Sequence, residues 1–157
     1  MEINIREWKT SDSEIILDSW LEFCRNETRS DMRLKPDAAR AMRQWLLSRL
    51  REPGSLGFVA DKDGTCVGFI IGRVDEWEST PPVLEPRRLG IIDAVYVNEE
   101  FRRSGIGARL VDRALQAMRE RNAVVAETIY DAGSDASSAL WSEAGFAPWM
   151  VHAYRTL

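Results

Sequence analysis

The feature that most constrains this chain is a strand, a glycine turn and an amphipathic helix in immediate succession between residues 91 and 118. Ile91-Ile92-Asp93-Ala94-Val95-Tyr96-Val97 is a nearly continuous apolar run, the pattern of a central strand covered on both faces. Ser104-Gly105-Ile106-Gly107 then opens a helix with Ile106, Leu110, Val111, Ala114, Leu115 and Met118 on one face. A helix entered this way presents unbonded N–H groups and the positive end of its dipole, and glycines clear side chains from the approach. Arg102 and Arg103 add charge at that point. The turn is a candidate pyrophosphate cradle, although the same residues alone equally describe a tight strand-to-helix turn with nothing bound.

Two familiar phosphate motifs compare poorly with it. No G-K-[ST] occurs in the chain, so a Walker A loop is excluded. Gly105, Gly107 and Glu127, about 20 residues on, match part of a dinucleotide-binding fingerprint, but its third glycine position holds Leu110 and too little chain follows for further βα units. A Rossmann-type nucleotide-binding domain stays as a minor alternative.

The flanking sequence predicts the rest of an α/β unit. Ile3 and Ile5 alternate with polar residues as a first strand, and Ser11-Asp12-Ser13-Glu14 has the form of a capping box opening a helix with Ile16, Leu17, Trp20, Leu21 and Cys24 on one stripe. Pro36 suits the first turn of a second helix carrying Met42, Trp45, Leu46 and Leu50, ended by Pro53-Gly54. Leu56 to Asp61 and Cys66 to Val74 flank Asp63-Gly64 as a type I′ hairpin. Asp75 to Arg88, with three prolines, reads as a loop or a ragged continuation of that hairpin. A right-handed crossover places the strand Ala123 to Ile129 parallel to Ile91 to Val97. A short helix from Asp135 to Ala144 ends at Gly145, and Phe146 to Tyr154 is expected as a last strand.

Composition narrows the function. At 157 residues with 45% apolar and 29% charged side chains, the chain reads as one soluble domain over residues 1–157. The formal charge of -4 provides no broad basic field, which argues against nucleic acid as a partner. Met1 to Thr10 has no apolar signal region, and no apolar run is long enough to span a bilayer, so a cytoplasmic protein without a membrane partner is expected. Cys24 and Cys66 lack metal or redox spacing and read as buried small apolar residues. His152, the one histidine, excludes a multi-histidine metal cage and reads as an ordinary strand residue, so no metal is expected.

The strand with Arg102-Arg103-Ser104-Gly105-Ile106-Gly107 resembles the [QR]-x-x-G-x-[GA] signature of the GNAT superfamily of acyl-CoA-dependent N-acyltransferases, and Leu140-Trp141-Ser142-Glu143-Ala144-Gly145-Phe146 is similar to its L-Y-x-x-x-G-F motif. The resemblance covers essentially the whole chain. It implies an α/β (α+β) fold: a mixed, largely antiparallel sheet with a splayed parallel strand pair, flanked by about four helices. It further implies direct transfer of an acetyl or short acyl group from acetyl-CoA, as co-substrate, to a primary amine of a small molecule or peptide in a ternary complex. The pantetheine arm of coenzyme A would enter the splay against the backbone of Val95, Tyr96 and Val97. The pyrophosphate would lie on Arg103, Ser104, Gly105, Ile106, Gly107 and Ala108, with Arg102 at the first motif position. Asp93 is the expected base and Glu127, on the facing strand, the second candidate.

The pattern departs from the family at the usual general acid, a tyrosine, where this chain has Trp141, and at an asparagine replaced by Ser134. An indole cannot give up a proton at accessible pH. Ser134, Ser138 and Trp141 are expected beside the cofactor, while Tyr130, Ser138 or solvent supplies the proton. A non-catalytic acyl-CoA-binding module is the alternative that this departure leaves open. Asp75, Glu76, Glu78 and Glu85 either attract a cationic acceptor or form a solvated loop, and Trp45 and Trp77 either line an acceptor pocket or pack in the core. A homodimer is compatible with the resemblance.

Overall fold

The computed structural model describes residues 2–27, 29 and 31–157, so Met1, Thr28 and Ser30 lie outside the described residues. Alternating apolar residues build a five-stranded sheet in the order β1 (Asn4–Glu7), β2 (Ser55–Lys62), β3 (Thr65–Trp77), β4 (Arg87–Val97) and β5 (Val125–Thr128). Neighbours are antiparallel except β4 and β5, which are parallel as the crossover requires. Asp63 and Gly64 both have positive φ, 51° and 84°, which gives the β2–β3 hairpin the primed turn expected of that dipeptide.

Period-2 alternation sends adjacent residues to opposite faces and divides the core in two. Phe58, Ile70 and Ile92 meet Leu110, Val111 and Met118 of α3 (Ile106–Glu120), with α4 (Asp135–Glu143) on the same side. Val59, Phe69 and Ile71 meet Ile16 and Leu17 of α1 (Ser13–Glu27) and Leu46 of α2 (Ala38–Arg51) on the other. Each cluster removes apolar surface from water at about 25 cal/mol per Å². Among the described residues no helix is long and apolar enough to cross a membrane.

Four expectations change. The helix start is a 3-10 turn at Thr10–Asp12 in which Asp12, not Glu14, takes the Lys9 N–H at 2.7 Å. Asp12 is fixed there by Arg6 of β1 at 2.9 Å, whereas Glu14 faces outward to Arg43. Phe146 to Tyr154 forms no strand and β5 remains an edge. Pro148 removes a ladder donor from that segment, and Trp149 and Val151 stay 66% and 89% exposed. His152 therefore lies outside any strand. Cys24 and Cys66 are half-buried rather than enclosed.

Candidate active site

Two strands that start together and then part create the central opening. The β4–β5 ladder runs from Leu89↔Val125 to Ile92↔Thr128, whereas β4 stays paired with β3 as far as Val97↔Gly68. Thr128 Oγ1 donates to Ile92 O at 3.3 Å, beside the last rung. Among the described residues, 93–97 thus have a strand neighbour on one side only. Backbone groups alternate between neighbouring strands, and the Asn98 N–H donates to Val67 O of the β3 side at 2.9 Å. Val97 and Val95 therefore turn their N–H and C=O groups to the edge that β5 has left. Arg102 Nε donates to Val97 O at 3.1 Å, which places this arginine at the mouth of the opening. The Tyr96 ring lies on the α1/α2 face, stacked on Phe69 at 5.6 Å.

Beyond β4, Asn98 caps a 3-10 turn over Glu99–Phe101, and Ser104 Oγ donates to Phe101 O. Arg103 and Gly105 both take positive φ, 59° and 78°, which turns the chain sharply into α3. The first helical bond from this turn is Arg109 N–H to Gly105 O at 3.1 Å, so the N–H groups of Ile106, Gly107 and Ala108 precede any intrahelical partner. The Ile106 side chain is itself buried in the core, leaving only its backbone to the turn. A Cβ at Gly107 would lie 3.4 Å from Leu140 Cδ1 and 3.8 Å from Val97 Cγ2, pointing into the space between β4 and α4. An open strand edge beside a set of unpaired helix N–H groups suits a ligand with amides in an extended arm and a diphosphate at its end.

On the α1/α2 face, the carboxylates have different surroundings. β4 carries a bulge, since Ile71 pairs with Ala94 and Gly72 with Ile92, leaving Asp93 as the extra residue. Asp93 accepts from Arg73, and Arg49 Nε of α2 lies 3.9 Å away. Asp93 Oδ2 and Arg49 Nε are buried without a hydrogen-bond partner among the described residues. Burial opposes the charge of Arg73, but hydrogen bonds to Asp93 and Asp75 outweigh it and raise its pKa. Glu127 stands opposite Ile91 and lines a cavity of about 380 Å³ with Arg87, Leu89, Val125, Ala126 and Trp149. Among the described residues it forms no ion pair. A larger depression of about 470 Å³ is lined only by α2 and the turn after it, remote in sequence from the glycine turn.

The sequence did not reveal the bulge or its arginines. The available signal was Gly72 inside a strand, where a Cβ would come within 2.4 Å of Ile91 O. On α4, Ser134 is the N-cap and accepts from Ser137 N–H at 3.3 Å, and Ser138 is half-buried one turn on. Trp141 is only 4% exposed and packs against Tyr130 and Phe146, with ring centroids 6.4 and 5.1 Å away. Within the acidic segment, Asp75 is paired with Arg73 and Glu76 with Arg88. Trp45 packs edge-on against Trp20 in the α1/α2 cluster.

Residues 14–146 match the Acetyltransferase (GNAT) family. An uncharacterized N-acetyltransferase of Archaeoglobus fulgidus is 42% identical over 84 residues, 54% of this chain and 52% of that protein. An N-alpha-acetyltransferase of Sulfolobus acidocaldarius is 32% identical over 78 residues, 48% of this chain and 46% of that protein. The chain spans about half the length of the curated relatives it matches. Among solved structures, a GCN5-related N-acetyltransferase from Ralstonia eutropha is 25% identical with a TM-score of 0.75 and 99% of each chain covered. An aminoglycoside N-acetyltransferase in complex with CoA shares the fold at 16% identity and a TM-score of 0.75, over 99% of this chain and 95% of that one. The splayed strand pair, the glycine turn and the match across residues 14–146 agree, and the chain belongs to the GNAT acetyltransferase family.

Proposed function

We propose that residues 1–157 act as one N-acetyltransferase domain that transfers an acetyl group from acetyl-CoA to a primary amine of a small molecule or peptide. The observation that carries this reading is the β4 edge, open from Asp93 to Val97 and continuous with the glycine turn. Bound acetyl-CoA would supply an activated thioester. Val95 and Val97 hydrogen-bond its extended arm, and the first N–H groups of α3 with Arg102 and Arg103 hold its phosphates. An N–H of the open edge polarises the carbonyl under attack.

The acceptor must arrive as a neutral amine. Glu127 faces the cavity, forms no ion pair among the described residues, and removes the ammonium proton, directly or through water. Asp93, tied to Arg73, keeps only Oδ2 for a water and assists. Of the three tyrosines, Tyr96 is engaged in its stack on Phe69 and Tyr154 donates to Asp31, so Tyr130, beside Trp141 and two residues past the last rung of β5, gives the proton to the departing sulfur.

Two measurements test the reading. Calorimetric titration should show coenzyme A binding and no NAD binding, and thiol release should follow when acetyl-CoA meets a panel of amines. Absence of coenzyme A binding would remove the proposal, and binding without turnover of any amine would reduce the domain to an acyl-CoA-binding module.

A further inference from the structure

The cavity beside Glu127 has a cation at its other end. Arg87 stands opposite Trp77 across the β3–β4 ladder, with its guanidinium 5.1 Å from that indole and 5.8 Å from the indole of Trp149. The neighbouring acids are taken: Asp75 by Arg73 at 2.7 Å and Glu76 by Arg88 at 3.2 Å. Arg87 has no ion pair among the described residues, and its Nε is buried without a hydrogen bond. Leu89 and Val125 form an apolar floor between Arg87 and Glu127.

A guanidinium placed over indole rings is held by cation–π attraction and keeps in-plane N–H donors for another partner. A fixed, unneutralised fork of this kind is built to receive a carboxylate or similar anion. Arg87 lies four residues before Ile91, the partner of Glu127, so the two charged ends are separated by about 13 Å of strand at Cα. Allowing for side chains leaning inward, the span suits an extended molecule with its amine and its anion about 10 Å apart, the length of roughly three extended residues.

Resting on the N-acetyltransferase reading, we propose that Arg87 is a specificity-determining residue and that the acceptor is a short peptide-like amine bearing an anionic group about three residues from its amine. Glu127 meets the ammonium end, Arg87 the anion, and Trp149 walls the site while Trp77 holds Arg87 in place. The opposed charges disfavour a polyamine, which would bring a second cation to Arg87.

The test uses Ala-Ala-Ala with a free C-terminal carboxylate, its C-terminal amide, and spermidine as acceptors with saturating acetyl-CoA. The free acid should exceed the amide in kcat/KM by about tenfold, through KM, and Arg87→Met should bring that ratio close to one in a protein that still binds coenzyme A. Arg87→Lys, which keeps the charge without the fork, should retain part of the preference. A ratio near one in the unaltered protein, a ratio that survives Arg87→Met, or spermidine as the better acceptor would overturn the assignment while leaving acyl transfer intact. Should neither peptide turn over, calorimetry of the free acid against the coenzyme A-loaded protein decides: binding lost in Arg87→Met supports the site, and no binding overturns it. A chain that fails to bind coenzyme A overturns the acyl-transfer reading itself.

Discussion

Asp93 and Glu127 are both carboxylates on one face of the sheet, yet Arg73 holds one and nothing charged holds the other among the described residues. A carboxylate oxygen already accepting from a guanidinium is not free to take a proton from the reactant. Glu127→Gln should therefore lower kcat/KM by about 10²-fold or more, and Asp93→Asn by less, with coenzyme A affinity retained in both. Steady-state rates across pH measure this, and a larger loss in Asp93→Asn would reverse the roles. Trp141 presents a different case, because its indole is buried between Tyr130 and Phe146. Trp141→Phe should keep most of the activity, whereas Trp141→Ala should lower stability by about 3–5 kcal/mol through the cavity it leaves, read by denaturant unfolding. Abolished turnover in a folded Trp141→Phe protein with normal coenzyme A affinity would make the indole N–H a participant.

At the scale of elements, the turn between β4 and α3 depends on backbone shape as much as on charge. Gly105 sits at φ 78° with open space around it, so conformation and not crowding demands glycine there. Gly107 is different: its missing Cβ faces the gap between Val97 and Leu140. Gly107→Glu should abolish coenzyme A binding in calorimetry, because it places bulk and a negative charge beside the N–H groups of α3. Unchanged affinity in a folded variant would move the phosphate site elsewhere. These elements were legible in the sequence because apolar period, glycine position and the Asp63-Gly64 turn are local signals. The last strand was misread because alternation in Phe146 to Tyr154 says nothing of a partner, and Pro148 and the short β5 leave the segment unpaired.

For the molecule as a whole, the link between β1, the entry to α1 and β2 runs through ionised groups. Arg6 hydrogen-bonds Asp12 and Asp61, and its guanidinium holds the Asp12 carboxyl below the usual carboxylate range. A folded-state pKa below the unfolded one means stability that is complete above about pH 4 and lost as pH falls through the folded value. Asp12→Asn should cost about 2 kcal/mol at neutral pH and flatten the acid limb of the stability profile, measured by urea unfolding between neutral and acid pH. An unchanged acid limb would show that other carboxylates govern it. Asp31 is lowered in the same direction by the Tyr154 hydroxyl and by Arg29, so the C-terminal segment is tied to the stretch before α2 by side chains and not by a ladder. Local pattern was enough for the order of strands and helices through α4, the two faces of the core and the turn that offers its N–H groups, because each follows from period, turn chemistry and helix termini within a few residues. Tertiary packing alone set β4 running past β5, the bulge that hands Asp93 to Arg73, and Arg87 over the rings of Trp77 and Trp149 at the far end of the cavity from Glu127. Those are relations between residues distant in the chain, fixed by ladder register and charge pairing across the sheet, and no local pattern encodes them.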